Sequence, residues 1–290
     1  MKIARYLSQG RERLGCFDGQ RLHDLHDLHD LHDLHDLHPA FPQITDMAVA
    51  MSPAGQAALR GFQPRDLGVD PSTVEWLPPL APSSRIFCIG INYRDHAAET
   101  GRDMPPYPSV FIRTHESVVG HGEDMVRPVA SSHYDFEGEL AVVIGKGGRH
   151  LSQEEALSCI AGYTCFNDGS LRDFQKHALT CGKNFDQSGA CGPWIVTADE
   201  IQDPTRLHLR TRLNGVEMQH ASTDMLIYSI PFLLSHLSQV THLRAGDVIS
   251  TGTPAGVGMG RQPPVWMKPG DRVEVEISGI GCLRNPVVAA

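Results

Sequence analysis

Apolar positions in this chain fall mostly into alternating patterns or short unbroken runs, the signatures of half-buried and fully buried strands. "KIARYL" and "RLGCFDG" near the start read as strands of a small β-rich module. "WLPPLAPSS", Trp76 to Ser84, carries three prolines in five residues and reads as a stiff connector. It predicts a module over residues 1–77 and a larger domain over 84–290. Beyond it, "RIFCIGINY" and "YTCFND" predict strands, and "DVISTG" and "RVEVEISG" alternate as half-buried strands do. Helical signals are short. Ser152 and Glu155 form a capping box that opens a helix ending near Gly162. "SLRDFQKHA" predicts a second helix, and "MLIYSIPFLLSHL" a buried one started by Pro231. The expected class is mixed, β-rich α+β.

One segment, "HYDFEGELAVVIGK", joins opposites. Ala141 to Ile144 is a continuous apolar run, as in a strand covered on both faces. Just before it stand Asp135, Glu137 and Glu139, spaced two apart and so on one face of an extended chain. Neighbouring anions there, roughly 6–7 Å apart, repel by about 2–3 kcal/mol at an effective dielectric near 20. Either the acidic half is a solvated strand end, or positive charge sits between the carboxylates. Asp168 closes the "YTCFND" strand further on. Glu137, Glu139 and Asp168 could give three hard oxygen ligands to Mg²⁺ or Mn²⁺, leaving half an octahedral shell for water or substrate. Arg172 and Gln175 follow, three residues apart on the predicted helix.

Composition narrows the field. The chain has 290 residues, 41% hydrophobic and 20% charged, enough to bury a core without staples. A net charge of −9 argues against a nucleic-acid backbone or an anionic membrane as partner. Seven cysteines without a C-x-x-C pair fit reduced thiols, and no apolar stretch reaches spanning length, so a cytoplasmic location is expected. Leu-His-Asp recurs five times from Leu22, then gives way to Leu37-His38-Pro39. A three-residue step turns successive leucines by about −60° on an α-helix, so they form no apolar face. The repeat over 22–38 is therefore expected to be an insertion in a surface loop, with adventitious metal binding as the alternative.

"IGINYRDHAAE", "DFEGELAVVIGK", "GYTCFNDGSLRDFQ", "GKNFDQSG", "GPW", "LNGVEMQ", "AGDVISTGTPAGVG" and "GDRVEVEISGIG" stand in the order of one family's motifs. From about Arg85 to the C-terminus the chain resembles the fumarylacetoacetate hydrolase family. The resemblance implies a twisted β-roll around a metal site, with Glu137, Glu139 and Asp168 as ligands and Asp135 outside the set. It implies that Lys183 is the active-site lysine that stabilises an enolate or relays a proton. Thr253 would lie in a loop that holds the substrate carboxylate. Arg172 and Gln175 would line the pocket, and His96 with Glu99 would sit on a lid and activate water. Arg113 stands where many members carry lysine, which suggests a role in binding the distal end of a dicarboxylic substrate.

The resemblance implies a homodimer acting on a small 2-oxo acid. The leading expectation is hydrolysis of a C–C bond in 2,4-dioxo acids, acylpyruvates such as maleylpyruvate or fumarylpyruvate or diketo-deoxy sugar acids, to pyruvate and a carboxylic acid. Decarboxylation or enol–keto isomerisation of 2-oxo or 2-hydroxydienoic acids is the alternative. A non-catalytic protein binding metal through the His/Asp repeat is the third.

Overall fold

The computed structural model describes residues 1–25, 44, 46–64 and 67–290. Strands β1 (Lys2–Ser8) and β2 (Arg11–Phe17) form a hairpin, and β3 (Leu22–Asp24) adds to β2. The first Leu-His-Asp unit is therefore a strand, with Leu22 fully buried against Ala4 and Tyr6. This corrects the expectation of a loop insertion for that unit; residues 26–43, which hold most of the repeat, lie outside the described residues. Helices α1 (Met47–Met51) and α2 (Pro53–Arg60) follow, capped by Asp46 and Ser52. Next come β4 (Glu75–Leu77), β5 (Ile86–Gly90), the short helix α3 (Arg94–Glu99), β6 (Ser109–Arg113), β7 (Val118–Val119) and β8 (Met125–Arg127). The acidic segment contributes β9 (Tyr134–Asp135) and β10 (Gly138–Ile144). Helix α4 (Gln153–Leu157) carries the full Ser152–Glu155 capping box and leads into β11 (Ile160–Asn167), β12 (Ser170–Leu171) and β13 (Gly189–Thr197). The chain ends with β14 (His208–Leu213), β15 (Val216–Ser222), α5 (Ile230–Val240), β16 (Val248–Ser250), β17 (Arg272–Ile277) and β18 (Gly281–Ala289).

The main sheet runs β3-β2-β1-β13-β11-β10-β16-β5-β6, with β4 on β1 and β7 on β13. A second sheet runs β15-β14-β17-β18-β8. Because β1 pairs with β13 (Lys2↔Val196, Ile3↔Ile195), the main sheet crosses the boundary expected at the proline-rich connector. Strand β10 shows why its sequence is apolar throughout. Leu140, Val142 and Ile144 enter a core shared with β14, β17 and α5, while Ala141 and Val143 enter another with Met47, Met51 and Leu59. Each buried leucine, valine or isoleucine among them contributes about 1.5–3 kcal/mol by leaving water. The fold is mixed and β-rich with short helices, as expected. None of the helices among the described residues is long and apolar enough to cross a membrane.

The helix expected over "SLRDFQKHA" is absent. Ser170 and Leu171 pair instead with Asp135 and Tyr134, and the segment holds only a 3₁₀ turn at Phe174–Lys176. Strand pairing takes the backbone groups that would have begun the helix. This places Arg172 at the end of β12, beside Asp135.

Candidate active site

Four parts of the chain meet at the ends of β10 and β11. Glu139 lies within β10 and Glu137 just before it; Asp168 follows β11. The pairing of these strands, Gly138↔Asn167 and Glu139↔Phe166, brings the carboxylates together, and the Asp168 N–H donates to the Glu137 carbonyl at 2.8 Å. Ligand oxygens of the three lie within 4.8 Å of one another, and all three side chains are buried. At an effective dielectric near 20, each such pair repels by on the order of 3 kcal/mol.

The protein supplies part of the compensation. Lys183 Nζ lies 2.5 Å from Glu137 and 2.6 Å from Asp168. Arg172 bridges Asp135 at 2.8 Å and Glu137 at 2.7 Å, so positive charge does sit between the carboxylates of the acidic strand. Asp135 accepts in addition from the N–H groups of Gly258 and Met259. It anchors Arg172 and lies outside the group of three carboxylates whose oxygens come within 4.8 Å of one another.

Titration follows this arrangement. Burial pushes Glu137 up, but Arg172 and then Lys183 outweigh it and hold the carboxyl well below the usual range. Burial likewise opposes the Lys183 ammonium, yet Asp168 and Glu137 raise its pKa and keep it charged. Glu139 differs. Burial first, then the charges of Asp168 and Glu137, push its pKa well above the ordinary value. Its hydrogen-bond donors are neutral, Ser250 Oγ and Gly252 N. Among the described residues no cation pairs with Glu139 directly, and a divalent ion between the three carboxylates fits that deficit. The all-oxygen donor set suits a hard cation. The chemistry and geometry of the triad fit a divalent metal.

One cleft of about 430 Å³, including its open mouth, is lined by this triad together with His96, Arg172, Gln175, Lys183 and Thr253. Gln175 Nε2 is buried there without a hydrogen-bond partner, a donor available to a ligand. Thr253 lines the cleft, but its hydroxyl donates to the Gly138 carbonyl and accepts from Gln219 Nε2. That proton is therefore already used within the fold. Arg102 also lines the cleft, and the sequence reading passed over it. Its only sequence signal is its place just after α3, behind Gly101.

His96 is buried on α3 with Nδ1 3.4 Å from Glu99 Oε2. Glu99 stands behind it, and both its oxygens accept from Gly256 N at 2.9 and 3.1 Å. Gly256 can present that N–H because it sits at φ +102, where a side chain would also strike the Met218 carbonyl. A carboxylate at Nδ1 favours the tautomer that leaves the Nε2 lone pair free as a base.

Arg113 is corrected. It does not line the cleft, and it is only 2% exposed. Its Nη1 donates to Asp168 Oδ1 at 2.7 Å and to the Gly169 carbonyl; Nη2 donates to Ser117 O and Ser188 Oγ, and Nε to Ser117 Oγ. All five N–H donors are directed into the protein, so none remains for a substrate. Gly189 makes the room, since a Cβ there would lie 2.6 Å from Arg113 Nη2. Arg113 holds Asp168 from beneath.

Residues 85–288 match the family described as fumarylacetoacetate (FAA) hydrolase, C-terminal. The chain belongs to this family. Oxaloacetate tautomerase YisK of Bacillus subtilis is 45% identical over 216 residues, which is 72% of this chain and 71% of that protein. Among solved structures, the fumarylacetoacetate hydrolase of psychrophilic Exiguobacterium antarcticum is 35% identical with a TM-score of 0.78. A maleylpyruvate hydrolase from Sphingobium sp. SYK-6, in complex with manganese(II) and pyruvate, is 28% identical with a TM-score of 0.76. Both alignments cover 100% of this chain and 100% of the other. The family's members include hydrolases, isomerases and tautomerases, and this chain carries the family's enzyme framework.

Proposed function

We propose that the protein is a tautomerase of 2-oxo dicarboxylic acids of the oxaloacetate type, with Mg²⁺ or Mn²⁺ at the carboxylate triad. The observation that carries the reading is the pair of proton-handling groups in one cleft. His96, oriented by Glu99, lines it from α3, and the Lys183 ammonium lines it from beside the triad. Interconversion of enol and keto forms breaks an O–H bond at C2, forms a C–H bond at C3 and shifts the C2=C3 pair into C2=O. A divalent cation held by the triad supplies Lewis-acid chemistry, a positive charge that favours the enolate. In the enol-to-keto direction the C2 hydroxyl proton passes to water while the Lys183 ammonium hydrogen-bonds to that oxygen, and His96 in its imidazolium form gives the proton to C3. In the reverse direction neutral His96 takes the C3 proton and water returns one to the oxygen. Gln175 donates to the neighbouring carboxylate, while Arg172, fixed by Asp135, balances the charge of Glu137. The similarity to an oxaloacetate tautomerase over most of the chain supports this choice.

Hydrolysis of acylpyruvates is the second reading. It is favoured by the His96–Glu99 pair, which can activate water as well as a C–H bond, and by the similarity to a maleylpyruvate hydrolase. The test follows decay of the enol absorbance of freshly dissolved oxaloacetate, with acylpyruvates assayed in parallel for pyruvate release. Acceleration of the decay that disappears on chelation and returns with Mn²⁺ is expected. Pyruvate release from acylpyruvates without accelerated decay would replace this reading with the second.

A further inference from the structure

Three cations line the cleft, and two of them are matched by anions of the protein. Arg172 is paired with Asp135 and Glu137, and Lys183 with Glu137 and Asp168. The third, Arg102, differs. Its guanidinium makes neither an ion pair nor a hydrogen bond among the described residues; only its backbone N–H is engaged, by the Ala97 carbonyl at 2.9 Å. Gly101, at φ +63, turns the chain out of α3 and sets Arg102 at the cleft. An unmatched cation on the wall of a binding cleft, close in sequence to the candidate base His96, is a site for an anion.

From this we infer that Arg102 binds the second carboxylate of the substrate and makes the site selective for 2-oxo or 2-hydroxy dicarboxylic acids over their monocarboxylic counterparts. The inference deepens the proposed function and rests on the same cleft. The triad, Lys183 and Gln175 serve the 2-oxo acid end from the sheet side. Arg102 approaches from the α3 side, so the two ends of a short dicarboxylate reach different elements with His96 also on α3. A guanidinium suits this task because it offers a carboxylate two parallel N–H donors. Arg102 is exposed, so replacing it leaves the core intact.

The test separates binding from turnover. Malate and lactate differ by one carboxylate and neither can tautomerise. Each is titrated calorimetrically into the Mn²⁺-loaded protein, its Arg102→Gln variant and its Arg102→Lys variant. Wild-type protein should bind malate about 10-fold or more tighter than lactate. Arg102→Gln should abolish that preference by weakening malate alone, and Arg102→Lys should keep part of it. Equal binding of the two acids by wild type, or a preference that survives Arg102→Gln, overturns the inference. An Arg102-dependent preference for malate in a protein that does not accelerate oxaloacetate tautomerisation would uphold the inference and reject the proposed reaction.

Discussion

Glu139 is the residue most dependent on a metal, because the protein gives it hydrogen bonds but no cation. Glu139→Gln should keep Ser250 and Gly252 in place while removing an anionic oxygen from the hard-ion shell. Calorimetric titration with Mn²⁺ is expected to show at least a 10-fold loss of affinity for this variant. Unchanged affinity would remove Glu139 from the ligand set. Arg113 tests a different relation. Replacing it with Met strands Asp168 Oδ1, Ser188 Oγ and two buried carbonyls together. Breaking one side of a buried ion pair costs about 3–5 kcal/mol. Urea denaturation of Arg113→Met should show a loss of that order, while any folded fraction keeps its malate-over-lactate preference. A stable variant with that preference abolished would return Arg113 to the substrate site.

At the scale of elements, some of the structure was legible in the sequence and some was not. The run Ala141–Ile144 declared its two-sided burial because both faces of β10 meet apolar cores. The capping box at Ser152 and the helix led by Pro231 are local motifs and both formed, but the first helix stops at Leu157 and Gly162, expected near its end, lies inside β11. The helix expected after Ser170 failed because its first residues pair with β9, a partner 35 residues earlier that local spacing cannot reveal. Arg113 was misplaced for a related reason, since position in a motif says nothing about which way a guanidinium is enclosed. The grip of Asp135 on Arg172 was visible only once β9 and β12 were paired. The Leu-His-Asp repeat gives an element-scale prediction. Deleting one unit beyond the first should barely alter metal-dependent activity, because the described residues that line the cleft run from Ile89 to Thr253. Deleting Leu22–Asp24 should lower the thermal midpoint, because that unit pairs with β2 and buries Leu22. A thermal melt of both deletions checks the contrast, and equal midpoints would contradict it.

For the whole molecule, stability and catalysis yield separate predictions. His121 lies beneath Trp76, accepts from Arg284 N through Nδ1, and has its pKa lowered to about 4, first by burial and then by Arg284 and Arg272. The unfolded chain therefore binds a proton between about pH 6.5 and 4 that the folded chain does not. Stability from this group is present above pH 6.5 and falls as the pH drops towards 4, by at most about 3 kcal/mol. Denaturation at stepped pH should show a shallower decline for His121→Gln than for wild type. The central claim is that His96 moves the proton at C3 in a site that the triad and Lys183 hold ready. Its most direct test is the rate of enol-to-keto conversion of oxaloacetate at saturating Mn²⁺, compared between wild type and His96→Gln, with Mn²⁺ affinity measured on both. The account predicts a fall of about 100- to 10,000-fold in the catalysed rate with metal affinity unchanged. A His96→Gln variant that converts the enol as fast as wild type would contradict it.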